Sequence, residues 1–273
     1  METSGETLPI TTKSEQYIND AMQEIRMMPS HQAADMTSDK TKFWAICNSN
    51  PLLCNEVDFQ WTYTAKEKYL YLASIFKVGN FINDSLTTQQ KLEDSLHTIA
   101  VNKDTGARRW YATHTTVLLN LGSVANQQEF LELISHELGH ILDLWVLEGT
   151  DTTKNKTYTE FGQAVFGMND VSLGFYAISR DNETIRKAES SKKDFCSWYG
   201  MSDPFEDFAE CFNMYTHHNA MFKQIARNNS TLKKKYNLIA GLFDGQYITD
   251  NKADLLLVKR DITRRPWDTT RIN

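Results

Sequence analysis

The sequence predicts an α+β domain built on a small mixed sheet. Two observations carry that expectation. Hydrophobic spacing changes along the chain from helical to strand-like and back, in the order helix, strands, helix, helices. The composition is also that of a globular chain: 41% hydrophobic and 23% charged over 273 residues, long enough to bury a sizeable core. With 12 glycines and 5 prolines, collagen-like and linker-dominated architectures are excluded.

Each element follows from local pattern. Residues 14–28 place Tyr17, Ile18, Met22, Ile25 and Met28 at helical spacing, and Pro29 ends the run. The polar stretch after it reads as a linker. Residues 1–40 are therefore expected as a helical extension with a polar linker, 41–245 as the main domain, and 246–273 as a charged tail. Residues 65–82 are again helical, with Leu70, Ala73 and Phe76 ahead of Gly79. The texture then changes. Residues 95–102 and 108–121, rich in β-branched and aromatic side chains, read as strands either side of a turn at Asp104-Thr105-Gly106. Val117 to Asn120 fits either an edge strand that pairs with an extended peptide or an interior strand.

From Asn126 to Leu147 the pattern is one long amphipathic helix. Residues 148–182 are rich in Gly, Thr and Asn and read as loops with a short helix. Residues 203–217 form a helix opened by Asp203-Pro204, and helical segments continue to Phe243. The part beyond the strands is thus mainly helical.

Charge narrows the partners. A net charge of −6, with no basic stripe, excludes nucleic acid as the main partner. The longest apolar runs, such as Leu255 to Val258, fall far short of the roughly 20 residues a membrane span needs. The N-terminal METSGETLPITTK is polar, with no apolar signal core. The four cysteines fall into two local groups, Cys47 with Cys54 and Cys196 with Cys211. That spacing permits two disulfides without fixing them, and the absence of C-x-x-C gives thiolate zinc no support.

The informative string is Ser135-His136-Glu137-Leu138-Gly139-His140. Residues four apart on a helix share a face, so both imidazoles project together with the bite a tetrahedral zinc ion requires. Glu137 is turned by about 100°, beside the metal and able to hold its water. Phe130, Ile134, Leu138, Ile141 and Trp145 lie on the opposite side as an apolar back, leaving the histidine face to look elsewhere. Chance assembles such a string about once in a hundred chains of this composition, so two satisfied core histidines are the competing reading. Asp143 returns to the histidine side, either to hold a histidine Nδ1 or to cap a polar edge. His217 and His218, like His31, His97 and His114, read most simply as surface or half-buried side chains.

A catalytic zinc needs a third protein ligand. The metzincin extension is absent, since Asp143 and Val146 stand where Gly and His would be required. A later helix offers Glu206 and Glu210, four apart on one face, with Phe205, Phe208, Phe212 and Tyr215 covering the other. Such a pair suits one metal ligand and one acceptor that orients a ligating histidine. Asp203-x-x-Glu206 with Pro204 at the first helical position is equally a capping box.

Together, His136-Glu137-Leu138-Gly139-His140-Ile141-Leu142-Asp143, Tyr199-Gly200 and Glu206-x-Phe208-Ala209-Glu210-x-Phe212 resemble the lethal-factor-like gluzincins. These include the protease domain of anthrax lethal factor and the bacterial Pro-Pro endopeptidases. The resemblance is clearest in these short blocks and extends over roughly residues 110–245. It implies a zincin-like fold with an active-site helix and one catalytic Zn2+. By the same resemblance His136, His140 and Glu206 are the ligands, Glu137 the general base, Tyr199 the phenol that assists the transition state, and Glu210 the acceptor behind a ligand. The expected activity is zinc-dependent hydrolysis of peptide bonds in a protein or peptide substrate. The alternative is a catalytically silent zincin-like binding or targeting module. Relatives of this class are mostly secreted bacterial proteins, so an extracytoplasmic location is the expectation. The spacer from His140 to Tyr199 is longer than in lethal factor, and substrate preference does not transfer.

Overall fold

The computed structural model describes residues 57–59, 65–88, 92–102, 110–113, 116–120, 124, 126–160 and 162–256. The expected helix at 14–28, Cys47, Cys54, His31, His114, the 104–106 turn and the tail beyond 256 lie outside these residues.

A four-stranded mixed sheet forms from β1 (Val57–Phe59), β2 (Thr98–Asn102), β3 (Trp110–Thr113) and β4 (Thr116–Asn120), in the spatial order β1-β2-β4-β3. The β1-β2 and β2-β4 pairs are parallel; β3 runs antiparallel to β4. Both Ile99 and Val101 on β2, and Ala100 between them, are buried, as expected of a parallel strand covered on both faces. The segment 116–120 is thus interior, flanked by β2 and β3, and the edge reading of Val117 to Asn120 gives way. Two strands lie within 108–121, β3 and β4, paired antiparallel with Thr113 opposite Thr116.

Helix α1 (Ala65–Ser85) follows β1, and a short turn α2 (Leu92–Ser95) precedes β2. Helix α3 (Gln127–Ile141) starts where Asn126 accepts the Glu129 N–H through its side chain at 3.0 Å. Phe130, Ile134, Leu138 and Ile141 are fully buried, with the Tyr71 ring of α1 packed 4.6 Å from that of Phe130. The single helix expected to Leu147 is interrupted. At Ile141 the α-helix gives way to a π-helical turn, Leu142–Val146, closed by Leu147 N–H to Leu142 O at 2.9 Å.

Beyond the sheet, the described residues are helices and loops: α4 (Val171–Ser179), α5 (Pro204–His217), α6 (Asn219–Arg227) and α7 (Ser230–Leu242). The 148–182 segment is looped as expected, with α4 as its helix. The main correction concerns the histidine face of α3. It does not look away from the core, because α5 packs along it. Gly139 makes that approach possible: a Cβ there would stand 3.1 Å from the Ala209 Cα and 3.2 Å from Phe212 Cδ1. Among the described residues no helix is long and apolar enough to cross a membrane.

Candidate metal centre

Helix α3 supplies His136 and His140, and α5 supplies Glu206 from its first turn. Their ligand atoms form a nearly equilateral triangle. His136 Nε2 lies 3.1 Å from His140 Nε2 and 3.0 Å from Glu206 Oε2, which is 3.3 Å from His140 Nε2. Two ligands of a tetrahedral zinc ion stand about 3.3 Å apart, so the triangle has the edges of one zinc face. The imidazole planes are nearly perpendicular, at 83°. Glu206 Oε2 is buried and makes no hydrogen bond of normal geometry, though both histidines are close. The three groups converge on a common point rather than pairing off. This group could hold a metal ion.

Asp203 does cap α5, accepting the Glu206 N–H through Oδ1 at 2.8 Å. The reciprocal half of the box is not made, because the Glu206 carboxylate turns to the histidines. One residue thus serves both readings, its amide in the cap and its side chain in the centre.

Behind His136, Glu210 Oε1 lies 2.7 Å from Nδ1, fixing the ring and leaving Nε2 to the centre. Glu210 is completely buried, held one turn along α5 from Glu206. Electrostatics follow from this surplus of carboxylate. Burial pushes His136 down in pKa, but Glu206 and Glu210 outweigh it and the net shift is well upward. For His140 burial is likewise outweighed, chiefly by Glu206. Burial pushes the Glu206 carboxyl up, yet His140 and His136 hold it well below the usual carboxylate range. The position therefore favours positive charge, whether protons or a cation.

Glu137 is 1% exposed, and neither carboxylate oxygen has a hydrogen-bond partner among the described residues. Burial raises its pKa to about 7, against the opposing pull of His136 and His140. A carboxylate so placed can take up and return a proton near neutrality.

Tyr199 opens a 3-10 turn, Tyr199–Met201, just before α5. Its ring stacks on His136 at 26°, with centroids 5.9 Å apart. Burial, then the charge of Glu206, drives its hydroxyl upward in pKa, so it stays a donor. Gly200 sits against α5, where a Cβ would meet the Asp207 Cα at 3.1 Å. Cys196 and Cys211 are bridged, tying the segment before the turn to the middle of α5.

Asp143 departs from both expected roles. Fully buried in the π-turn, it accepts the Tyr176 hydroxyl at 2.7 Å, and the histidine Nδ1 partner is Glu210 instead. Asp143 thus faces Tyr176 of α4. His217 and His218 are not surface or half-buried side chains: both are buried, at and just beyond the C-terminal end of α5, against α3. His217 Nε2 is 2.6 Å from Ser135 Oγ, and His218 Nε2 is 3.2 Å from Glu132 Oε1. Sequence reasoning missed a buried ionic group behind the Tyr199 turn. There Lys235 Nζ donates to Asp207 Oδ2 at 2.6 Å, and Arg180 donates to Met201 O at 2.7 Å. Arg180 and Lys235 come from outside the motif blocks, and no local spacing announces them.

Comparison of the chain with protein-family models, with curated proteins and with solved structures finds no match in any of the three.

Proposed function

We propose that this chain is a zinc-dependent endopeptidase, cutting peptide bonds in an extended segment of a protein substrate. The observation that carries the proposal is the triangle of His136 Nε2, His140 Nε2 and Glu206 Oε2, with edges of 3.0 to 3.3 Å. Two imidazoles and one carboxylate form a donor set suited to zinc that leaves a fourth position open. The mixed sheet backed by α3, with α5 packed antiparallel along that helix, is read as a zincin-like arrangement, in keeping with the lethal-factor-like resemblance of the motifs.

A zinc ion held there supplies a Lewis acid that polarises the scissile carbonyl and lowers the pKa of a bound water toward ~7. The rest of the chemistry belongs to the chain. Glu137 takes the proton released as water attacks the carbonyl carbon and passes it to the departing amine nitrogen. The Tyr199 hydroxyl donates a hydrogen bond to the developing oxyanion. Glu210 accepts from His136 Nδ1–H, which holds the tautomer whose Nε2 lone pair faces the centre. The Cys196–Cys211 bridge supports an extracytoplasmic working place.

The test is Glu137→Gln. Zinc content stays near one per chain, while hydrolysis of a peptide selected from a library falls by about three orders of magnitude or more. An undiminished rate in that variant, or a wild-type protein that takes up no zinc, would refute the proposal.

A further inference from the structure

The turn that carries Tyr199 is held from behind by a residue outside the motif blocks. Arg180 ends α4, and its backbone is fixed on both sides. Its N–H bonds to Tyr176 O at 3.1 Å, and its carbonyl accepts the Tyr158 hydroxyl at 2.9 Å. From this anchor the guanidinium, with the residue only 1% exposed, lies 5.5 Å from the Phe195 ring centroid. Its Nη2 donates to Met201 O at 2.7 Å and, at longer range, to Gly200 O at 3.4 Å.

The direction of those donors is informative. Burying an arginine is costly unless its charge and hydrogen bonds are matched. The nearby carboxylate of Asp207 is already engaged by Lys235 Nζ at 2.6 Å and Ser179 Oγ at 3.3 Å. Arg180 directs its hydrogen bonds to the carbonyls of the two residues that follow Tyr199. Hydrogen bonds from a charged donor are about twice as strong as neutral ones, so the 2.7 Å bond to Met201 O carries most of the hold, while Nε has no hydrogen-bond partner among the described residues. The turn's own amides complete it: Gly200 N–H to Ser197 Oγ at 3.0 Å, Met201 N–H to Trp198 O at 3.2 Å and Ser202 N–H to Tyr199 O at 2.9 Å.

We infer that Arg180 is a positioning residue for Tyr199, setting the phenol against the metal centre by holding the Gly200 and Met201 carbonyls. This rests on the reading of Tyr199 as the oxyanion donor. Arg180 touches neither substrate nor the reacting atoms; it acts through the turn.

The experiment compares Arg180→Met and Arg180→Lys in the full chain, each with and without Tyr199→Phe. Zinc content should stay near one per chain. For a peptide cleaved by the wild type, KM should change by less than about threefold while kcat falls about 10–100-fold in Arg180→Met. In the Tyr199→Phe background the same substitution should lower kcat no further. Amide hydrogen exchange supplies the readout independent of activity. Exchange at Gly200, Met201 and Ser202 should accelerate by about tenfold or more, while the amides of residues 136–141 keep their protection. Arg180→Lys keeps the charge and one donating end, so it covers the case in which the methionine variant does not fold. Its turn should loosen measurably but less.

Unchanged exchange at the turn overturns the inference, and so do equal losses of kcat with Tyr199 intact and in the Tyr199→Phe background. Loosened turn amides in a chain whose wild type cleaves no peptide would refute the peptidase proposal alone and leave the Arg180 hold on the turn standing.

Discussion

The contact between α3 and α5 buries two clusters of histidines, and one member of each, His136 in the first and His217 in the second, ends up with the opposite electrical character. At one end of the α3–α5 contact, His136 and His140 meet Glu206 and Glu210. At the other, His217 meets Ser135 and His218 meets Glu132. Contacts run from His140 with Glu206 to Glu132 with His218, so the helices are antiparallel and both clusters lie on one seam. Burial is nearly the same, since His136 and His217 are each 0% exposed. Their pKa values diverge nonetheless. Two carboxylates lift His136 well above the ordinary histidine value despite burial. His217 falls well below it, through burial first and then the charges of His218 and Lys77. The partner, not the depth, decides whether a buried imidazole attracts positive charge or excludes it.

The sharpest way to break this comparison is to remove charge from the first cluster. Glu206→Gln takes away the anionic ligand while keeping shape and the Asp203 cap on the residue 206 amide. Zinc content measured after dialysis should drop from about one per chain to near zero, with hydrolysis lost alongside. His217→Gln, on the other cluster, should leave zinc near one. Equal zinc loss in both variants would mean that the seam holds one coupled cluster rather than two distinct ones.

Much of this seam is legible in the sequence. His136 and His140 share a face by spacing alone, and Glu206 with Glu210 does the same on α5. The second cluster is legible too, although reading each histidine singly misses it. Glu206, Glu210, Asn213 and His217 follow one another at intervals of four, three and four, a stripe along α5. The stripe faces a matching row on α3 that includes Glu132, His136 and His140. Taking His217 as a surface residue ignores that continuity. Two other features are out of reach. The π-turn at 142–146 depends on how the helix end packs, and Asp143 within it pairs with Tyr176, 33 residues away. The Arg180 and Lys235 contacts join segments 20 to 41 residues apart. Periodicity reports on one element at a time and carries no information about such pairings. The sheet is small and mixed as expected, but its strand order, with β4 inside and β3 at the edge, has no local signal.

A smaller effect separates direct ligation from orientation. Glu210 holds the far nitrogen of His136 and is not one of the three converging ligands, so Glu210→Gln keeps all three. A neutral amide can still accept from Nδ1–H through its carbonyl oxygen, but it loses the charge that makes the imidazole a better ligand. Zinc affinity, measured by competition with a chelator, should weaken about 10–100-fold rather than vanish. A loss as complete as that of Glu206→Gln would place Glu210 among the ligands themselves.

The smallest effect tests the second cluster by pH. Ser135 Oγ donates to Leu131 O at 2.7 Å, so its proton is committed and His217 must donate from Nε2. That leaves His217 Nδ1 bare, buried and without a hydrogen-bond partner among the described residues. Burial first, and then the charges of His218 and Lys77, depress its pKa, and a second proton on the ring would have no acceptor at Nδ1 among the described residues. The unfolded chain binds that proton near pH 6.5 and the folded one only well below. Between those values the unfolded state carries more protons, so the stabilising contribution is full above about pH 6.5 and is lost as the pH falls. Each pH unit in that window costs about 1.4 kcal/mol. His217→Gln retains a donor for Ser135 but cannot titrate. Comparing urea unfolding of wild type and variant at about pH 6.5 and 5.5 cancels the titration of the metal ligands, which both proteins share. The wild type should lose about 1 kcal/mol more than the variant over that interval. Equal losses would mean that His217 takes up its proton inside the fold, and the contrast between His136 and His217 would fail.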